Sequence, residues 1–130
     1  MMLALDYGSR YIGVAATDYE GRIPFRHSTI DQKQQKALEV IPGIVAKERI
    51  KKILVGLPVN LEGGYTQQTG ISQAFIQRLR TVVPEDVEII AVDETLTSVE
   101  AEKRIAFEGG DIAAAHSEAA RILLEDYLNT

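Results

Sequence analysis

The chain contains no cysteine, only two histidines, and no apolar run long enough to cross a bilayer. Without cysteine there is no disulfide framework and no thiolate metal site. With only His27 and His116 available, and no Gly-x-Ser-x-Gly elbow, a nucleophile–histidine triad lacks its setting. No Walker loop and no Gly-x-Gly-x-x-Gly occurs, so the P-loop and dinucleotide classes lack their phosphate cradle. The N-terminal apolar stretch, Met1 to Leu5, has no basic flank or cleavage site and is interrupted by Asp6, which excludes a signal peptide. The expectation is a soluble, cytoplasmic protein with no membrane partner. A cationic excess is also missing. The net charge of −5 argues against a large nonspecific nucleic-acid surface, although local basic clusters can still serve. Aromatic residues make up 6%, too few to suggest a stacking platform for single strands.

What remains is ordinary globular material: 130 residues, 45% hydrophobic and 25% charged, with no repeat and no linker. A single domain over 1–130 is expected. Met1–Leu5 reads as a buried strand ending at Asp6, and Tyr11–Thr17 as a second strand running back after a turn at Gly8. Glu20-Gly21 is a turn into a third strand, Arg22–Ile30, which Pro24 marks as an edge. Asp31 is the expected N-cap of a helix from about Gln32 to Arg49, kinked or broken at Pro42-Gly43. Lys51–Leu57 reads as a buried parallel strand ended by Pro58. A loop over Val59–Tyr65 leads to a helix through Gln73–Arg80. Val87–Asp93 is a fifth strand. Thr97 and Glu100 match a capping box opening a helix to about Phe107, stopped at Gly109-Gly110. A last helix runs from Ile112 or Ala113 to Tyr127. This order gives an α/β domain, an antiparallel meander continued by parallel strands with helices on both faces.

Ligands in open α/β sheets bind beyond the carboxyl ends of the strands. Asp6, Asn60 and Asp93-Glu94 fall at three such ends. A carboxylate closing a buried strand is costly unless it is paired or binds a cation. Asp6 and Glu94, with a third ligand from the final helix, suit Mg²⁺ or Mn²⁺ and hence phosphodiester hydrolysis. The alternative is that Asp6 is a turn aspartate held by local amides, with Asp93 and Glu94 solvated or capping the next helix. Asp6-x-Gly8 before a strand carrying Gly13 also resembles the phosphate-wrapping hairpin of the sugar kinase and actin ATPases. That class needs two such domains, and the length supplies one.

Four motifs in order then identify a closer resemblance: Asp6-Tyr7-Gly8-Ser9-Arg10 with Ile12-Gly13-Val14-Ala15; Val55–Gly63; Asp93-Glu94-Thr95-Leu96-Thr97-Ser98 with Glu100-Ala101; and the closing helix Ser117–Leu128. Over essentially its whole length the chain resembles the YqgF/RuvX family, relatives of the RuvC resolvases in the ribonuclease H-like superfamily. The resemblance implies a ribonuclease H-like five-stranded mixed sheet of order 3-2-1-4-5, and a metal-dependent nuclease. Its implied activity is 5′-end processing of pre-16S ribosomal RNA, with Holliday-junction resolution as the alternative and a non-catalytic RNA-binding assembly factor as the non-enzyme reading. Carried over by position, Asp6 and Glu94 match family carboxylates. The third, at the start of the last helix, is replaced here by His116. Thr95 stands where the family has arginine. Glu118, two residues on and about 200° round the helix, cannot replace the missing aspartate on the same face, and the third ligand stays open between His116 and Glu118. The implied catalytic and metal set is Asp6, Glu94 and His116, with Mg²⁺ or Mn²⁺, and histidine shifts the preference toward Mn²⁺. Arg10, Asn60 and Gly63 are the expected substrate contacts. Lys47, Arg49, Lys51 and Lys52 are expected to face away from the carboxylates. Partners would be precursor rRNA or branched DNA and ribosomal assembly proteins, the chain acting as a monomer or weak dimer.

Overall fold

The computed structural model describes residues 1–95, 104 and 108–130. Five strands, β1 (Met2–Tyr7), β2 (Tyr11–Thr17), β3 (Pro24–Asp31), β4 (Lys52–Val59) and β5 (Glu88–Thr95), form one sheet of order β3-β2-β1-β4-β5. β1 pairs antiparallel with β2 and parallel with β4, and β4 pairs parallel with β5. The expected sheet order and orientations are therefore observed. Pro24 lies at the start of the edge strand β3 opposite Thr17, where its missing N–H removes no interior ladder bond.

Alternation along the strands sorts two cores. Leu3, Leu5, Ile12, Val14, Ile53, Val55 and Ile89 point to one face, against Ala37, Ile41 and Val45 of α1 (Ala37–Glu48) and Phe75, Ile76 and Leu79 of α2 (Gln67–Arg80). Ala4, Ala15, Leu54, Ile90 and Val92 point to the other face, against Ala120, Leu123 and Leu124 of α3 (Ile112–Leu128). By the same alternation Asp6 and Glu94 share the α3 face of the sheet.

Three expectations need correction. Asp31 does not cap α1; it ends β3. Its carboxylate accepts from Arg10 and from the Lys33 amide, and its carbonyl accepts from the Gln34 and Gln35 amides. The chain therefore turns once more before α1 begins after Lys36, which makes no side-chain cap. Pro42 does not break α1. Its helix-interior cost of about 3 kcal/mol is opposed by burial of Ile41 and Val45 on either side, each worth about 1.5–3 kcal/mol. Pro58 does not end β4, which continues to Val59. β1 stops pairing with β4 at Leu5–Val55, so beyond that point β4 is bonded on one side only and a missing donor is tolerated.

α2 starts earlier than the apolar pattern suggests. Thr66 and Thr69 form a reciprocal capping box, and the Thr69 hydroxyl also donates to the Pro58 carbonyl. Threonine at the third helical position replaces the Glu or Gln of the usual motif, so the box is easily overlooked. α3 is capped by Asp111, whose carboxylate accepts from the Ala113 and Ala114 amides. The Thr97–Glu100 box and the helix expected after it lie outside the described residues.

Candidate functional site

The site is built where α3 crosses the end of β1. Asp6 pairs across the sheet with Gly13 of β2. A Cβ at Gly13 would stand 1.8 Å from the His116 carbonyl oxygen and 2.2 Å from its carbon, so the bare glycine is what lets the helix backbone rest on the strand. Small residues continue along the helix: Ala115, Ala119 and Ala120 are buried on α3, and Ala120 packs in one cluster with Ala4 and Ala15. This close approach delivers His116 to Asp6, with Nδ1 3.6 Å from Oδ2 and the two side chains 15% and 13% exposed. Tyr11 tilts against the imidazole at 5.3 Å between ring centres. Two of the three expected ligands thus meet, from β1 and from α3.

Glu94 is not in that contact. It sits two strands away, level with Pro58, while Asp6 is level with Gly56. Strand spacing and rise put the two Cα atoms roughly 12 Å apart. Among the described residues no group of three or more His, Cys, Asp or Glu is placed to hold a metal. Glu94 has instead an acidic neighbour that the sequence motifs did not mark, Asp126 in the last turn of α3. Burial pushes the Glu94 carboxyl above the usual range, and the Asp126 charge raises it further. The only signal in the sequence is that Asp126 lies ten residues beyond His116 on the same helix.

The raised Glu94 value has a consequence for stability. The folded protein holds the proton more tightly than the unfolded chain, so stability is greatest below the unfolded value, about 4.3, and declines as pH rises through the folded one. Glu94→Gln should therefore melt higher than wild type at pH 7 and with it at pH 3.5, as thermal unfolding at the two pH values would read. A stabilising change that costs activity would mark Glu94 as held for function.

Glu118 is committed elsewhere. It accepts from Arg121, and Arg26 lies 4.0 Å away on β3. Arg10 is paired with Asp31 at 3.3 Å and lies over the Tyr11 ring, its side chain 44% exposed. Asn60 folds its own loop: Oδ1 accepts from the Glu62 and Gly64 amides at 3.1 and 2.6 Å. Gly63 takes φ +79°, where a side chain would be strained. Arg10, Asn60 and Gly63 all stand at the edge of the sheet that carries Asp6. Lys51 and Lys52 pair with Asp86 and Glu88 at the opposite edge, as expected. Gln32, which sequence reasoning passed over, donates from Nε2 to the Gly8 and Ser9 carbonyls at 2.8 and 3.2 Å and so pins the turn after Asp6.

A mixed sheet of this order, with an acidic residue at the end of its central strand facing a C-terminal helix, is the fold of a ribonuclease H-like domain. The chain belongs to the RuvX family, described as "Holliday junction resolvase", whose model matches residues 1–130. A protein of Chloroflexus aggregans is 36% identical over 98% of this chain and 92% of its own length, and one of Sulfurihydrogenibium is 37% identical over 80% and 71%. Both are named "Putative pre-16S rRNA nuclease". The fold is shared with Thermus thermophilus RuvC solved with a Holliday junction substrate, at TM-score 0.50 and 11% identity, covering 99% of this chain and 96% of that one. Among the described residues no helix is long and apolar enough to cross a membrane.

Proposed function

We propose that this chain is a divalent-metal-dependent endonuclease that cuts phosphodiester bonds in structured nucleic acid, with the 5′ end of precursor 16S rRNA as its main substrate. The observation that carries the reading is the nearly buried Asp6–His116 pair at the end of the central strand of a RuvX-family chain. Two donors on one ion with bonds of about 2.1 Å stand about 3 to 4 Å apart, and the 3.6 Å separation of Oδ2 and Nδ1 fits that range. Asp6 and His116 would hold the cation, which when bound lowers the pKa of the attacking water and stabilises the leaving oxygen. Glu94, across β4, would hold a second ion or orient the attacking water. Arg10, Asn60 and Gly63 orient the substrate phosphates at the sheet edge. Four-way-junction cleavage is the second reading, favoured by the family description. A binding-only assembly factor is the third, favoured by the separation of Glu94 from the pair.

Labelled precursor rRNA and a four-way junction, offered side by side with Mg²⁺ and then Mn²⁺, test the proposal. Cuts in the precursor and not in the junction support it; binding without cleavage in either metal sinks it in favour of the third reading. His116 sets the metal preference, since a nitrogen donor suits Mn²⁺ better than Mg²⁺. Activity should be higher in Mn²⁺, by a margin that His116→Asp narrows, and His116→Ala should lose activity in both. A second readout is independent of turnover. Two carboxylates in van der Waals contact repel in the metal-free protein, so Mg²⁺ should raise the melting temperature of His116→Asp more than that of wild type.

A further inference from the structure

Arg10 is tied by Asp31, and Arg121 by Glu118 and Glu125. Lys36 and Arg78 are different. Both are exposed, neither has an ion-pair partner among the described residues, and both line a groove of about 350 Å³ between the first turn of α1 and α2. That volume is at the small end of ligand clefts, room for about one nucleotide unit. Phe75 gives the groove an apolar lining and is stacked at 4.4 Å on Tyr7, the residue after Asp6. Gln32 lines it too and holds the Gly8–Ser9 turn. Glu39 is the one acidic lining residue among the described residues, and with Lys36 and Arg78 the described lining carries a net positive charge.

The position of the groove relates it to Asp6. β3 runs parallel to β1, because each is antiparallel to β2, so the end of β3 and the start of α1 share the sheet edge at which Asp6 lies. The groove is on the α1/α2 face and the Asp6 side chain on the α3 face. A strand that reaches both must pass over the Gly8–Arg10 turn. A single strand bends in this way at low cost, whereas a continuous duplex must pay deformation energy.

We propose that this groove binds a phosphate of a single-stranded segment of the substrate, away from the bond that is cut, with Lys36 and Arg78 on the phosphate oxygens. The inference rests on the nuclease reading for its substrate class, and its test is kept apart from catalysis. Fluorescent single-stranded and duplex RNA oligonucleotides are titrated in EDTA at several salt concentrations against wild type, Lys36→Ala/Arg78→Ala and Lys47→Ala/Arg80→Ala. The last pair removes the same charge from the last turn of α1 and from a position in the last turn of α2 outside the groove lining, again from exposed residues that have no ion pair among the described residues. For the single strand, the groove variant should reduce the magnitude of the slope of log K against log salt by about 0.7, the value for one neutralised phosphate, and the control variant should leave it unchanged. The duplex slope should move less. Equal effects of the two variants, no effect of the groove variant, or no measurable wild-type binding would each overturn the proposal. The expected slopes from a protein that cuts nothing in any metal would retain the groove and remove the nuclease reading. Cleavage with unaltered slopes would do the reverse.

Discussion

Asp6→Asn should leave a folded protein that cleaves at least about a thousandfold more slowly than wild type. Asparagine keeps the shape and one acceptor oxygen but removes the charge that draws a cation to the end of β1. Losing a single preorganised electrostatic contact commonly costs about 10² to 10³ in rate, and a residue that also holds the metal is worth more than one that only touches the transition state. Melting curves of the two proteins should show that the variant is folded at the assay temperature, while labelled precursor RNA stays intact with Asp6→Asn and is cut with wild type. Equal cleavage rates would show that the chemistry lies elsewhere, and the Asp6–His116 pair would then be a packing feature.

The succession of strands and helices was legible in the sequence because it follows from local signals, whereas the sheet order came from the family resemblance. Short turns force the antiparallel meander, long helical crossovers suit parallel β4 and β5, and the polar residues closing β1 and β5 place Asp6 and Glu94 at one edge. What escaped were features set by contacts distant in sequence. Asp31 has the chemistry of an N-cap, and only the return of Arg10 to its side makes it the end of a strand instead. Pro42 reads as a breaker until the burial of Ile41 and Val45 is weighed against it. The offset of Glu94 from Asp6 was partly readable, since strand order alone puts β5 two places from β1. The neighbourhood of Asp126 was not, because the angle at which α3 crosses the sheet is written in its packing. For the site, residue types marked Asp6 and His116 as candidates, but nothing in their spacing of 110 positions fixes a 3.6 Å contact. That contact depends on a residue with no side chain.

Gly13→Ala should be the most damaging single-methyl change in the protein. The added carbon would meet the His116 carbonyl oxygen at 1.8 Å, its carbon at 2.2 Å and the Ser117 nitrogen at 2.8 Å. All three are backbone atoms and cannot swing aside, so α3 as a whole must lift from β2. Overpacking a core by one methyl commonly costs about 1–3 kcal/mol, and here the shift also opens the layer of Ala4, Ala15, Leu54, Ala120 and Leu124. The expected result is a loss of about 3 kcal/mol or more in urea unfolding, with Gly13→Val failing to fold. Gly43→Ala is the matched control, because its Cβ meets nothing within 4 Å and the residue lies exposed inside α1. There the same methyl should add about 0.5–1 kcal/mol, the helix preference of alanine over glycine. Function gives the second readout. Folded Gly13→Ala, measured well below its melting temperature, should cut more slowly than wild type because the lifted helix carries His116 away from Asp6. If it is destabilised yet cleaves at the wild-type rate, the contact between α3 and β2 holds the fold together without positioning the site.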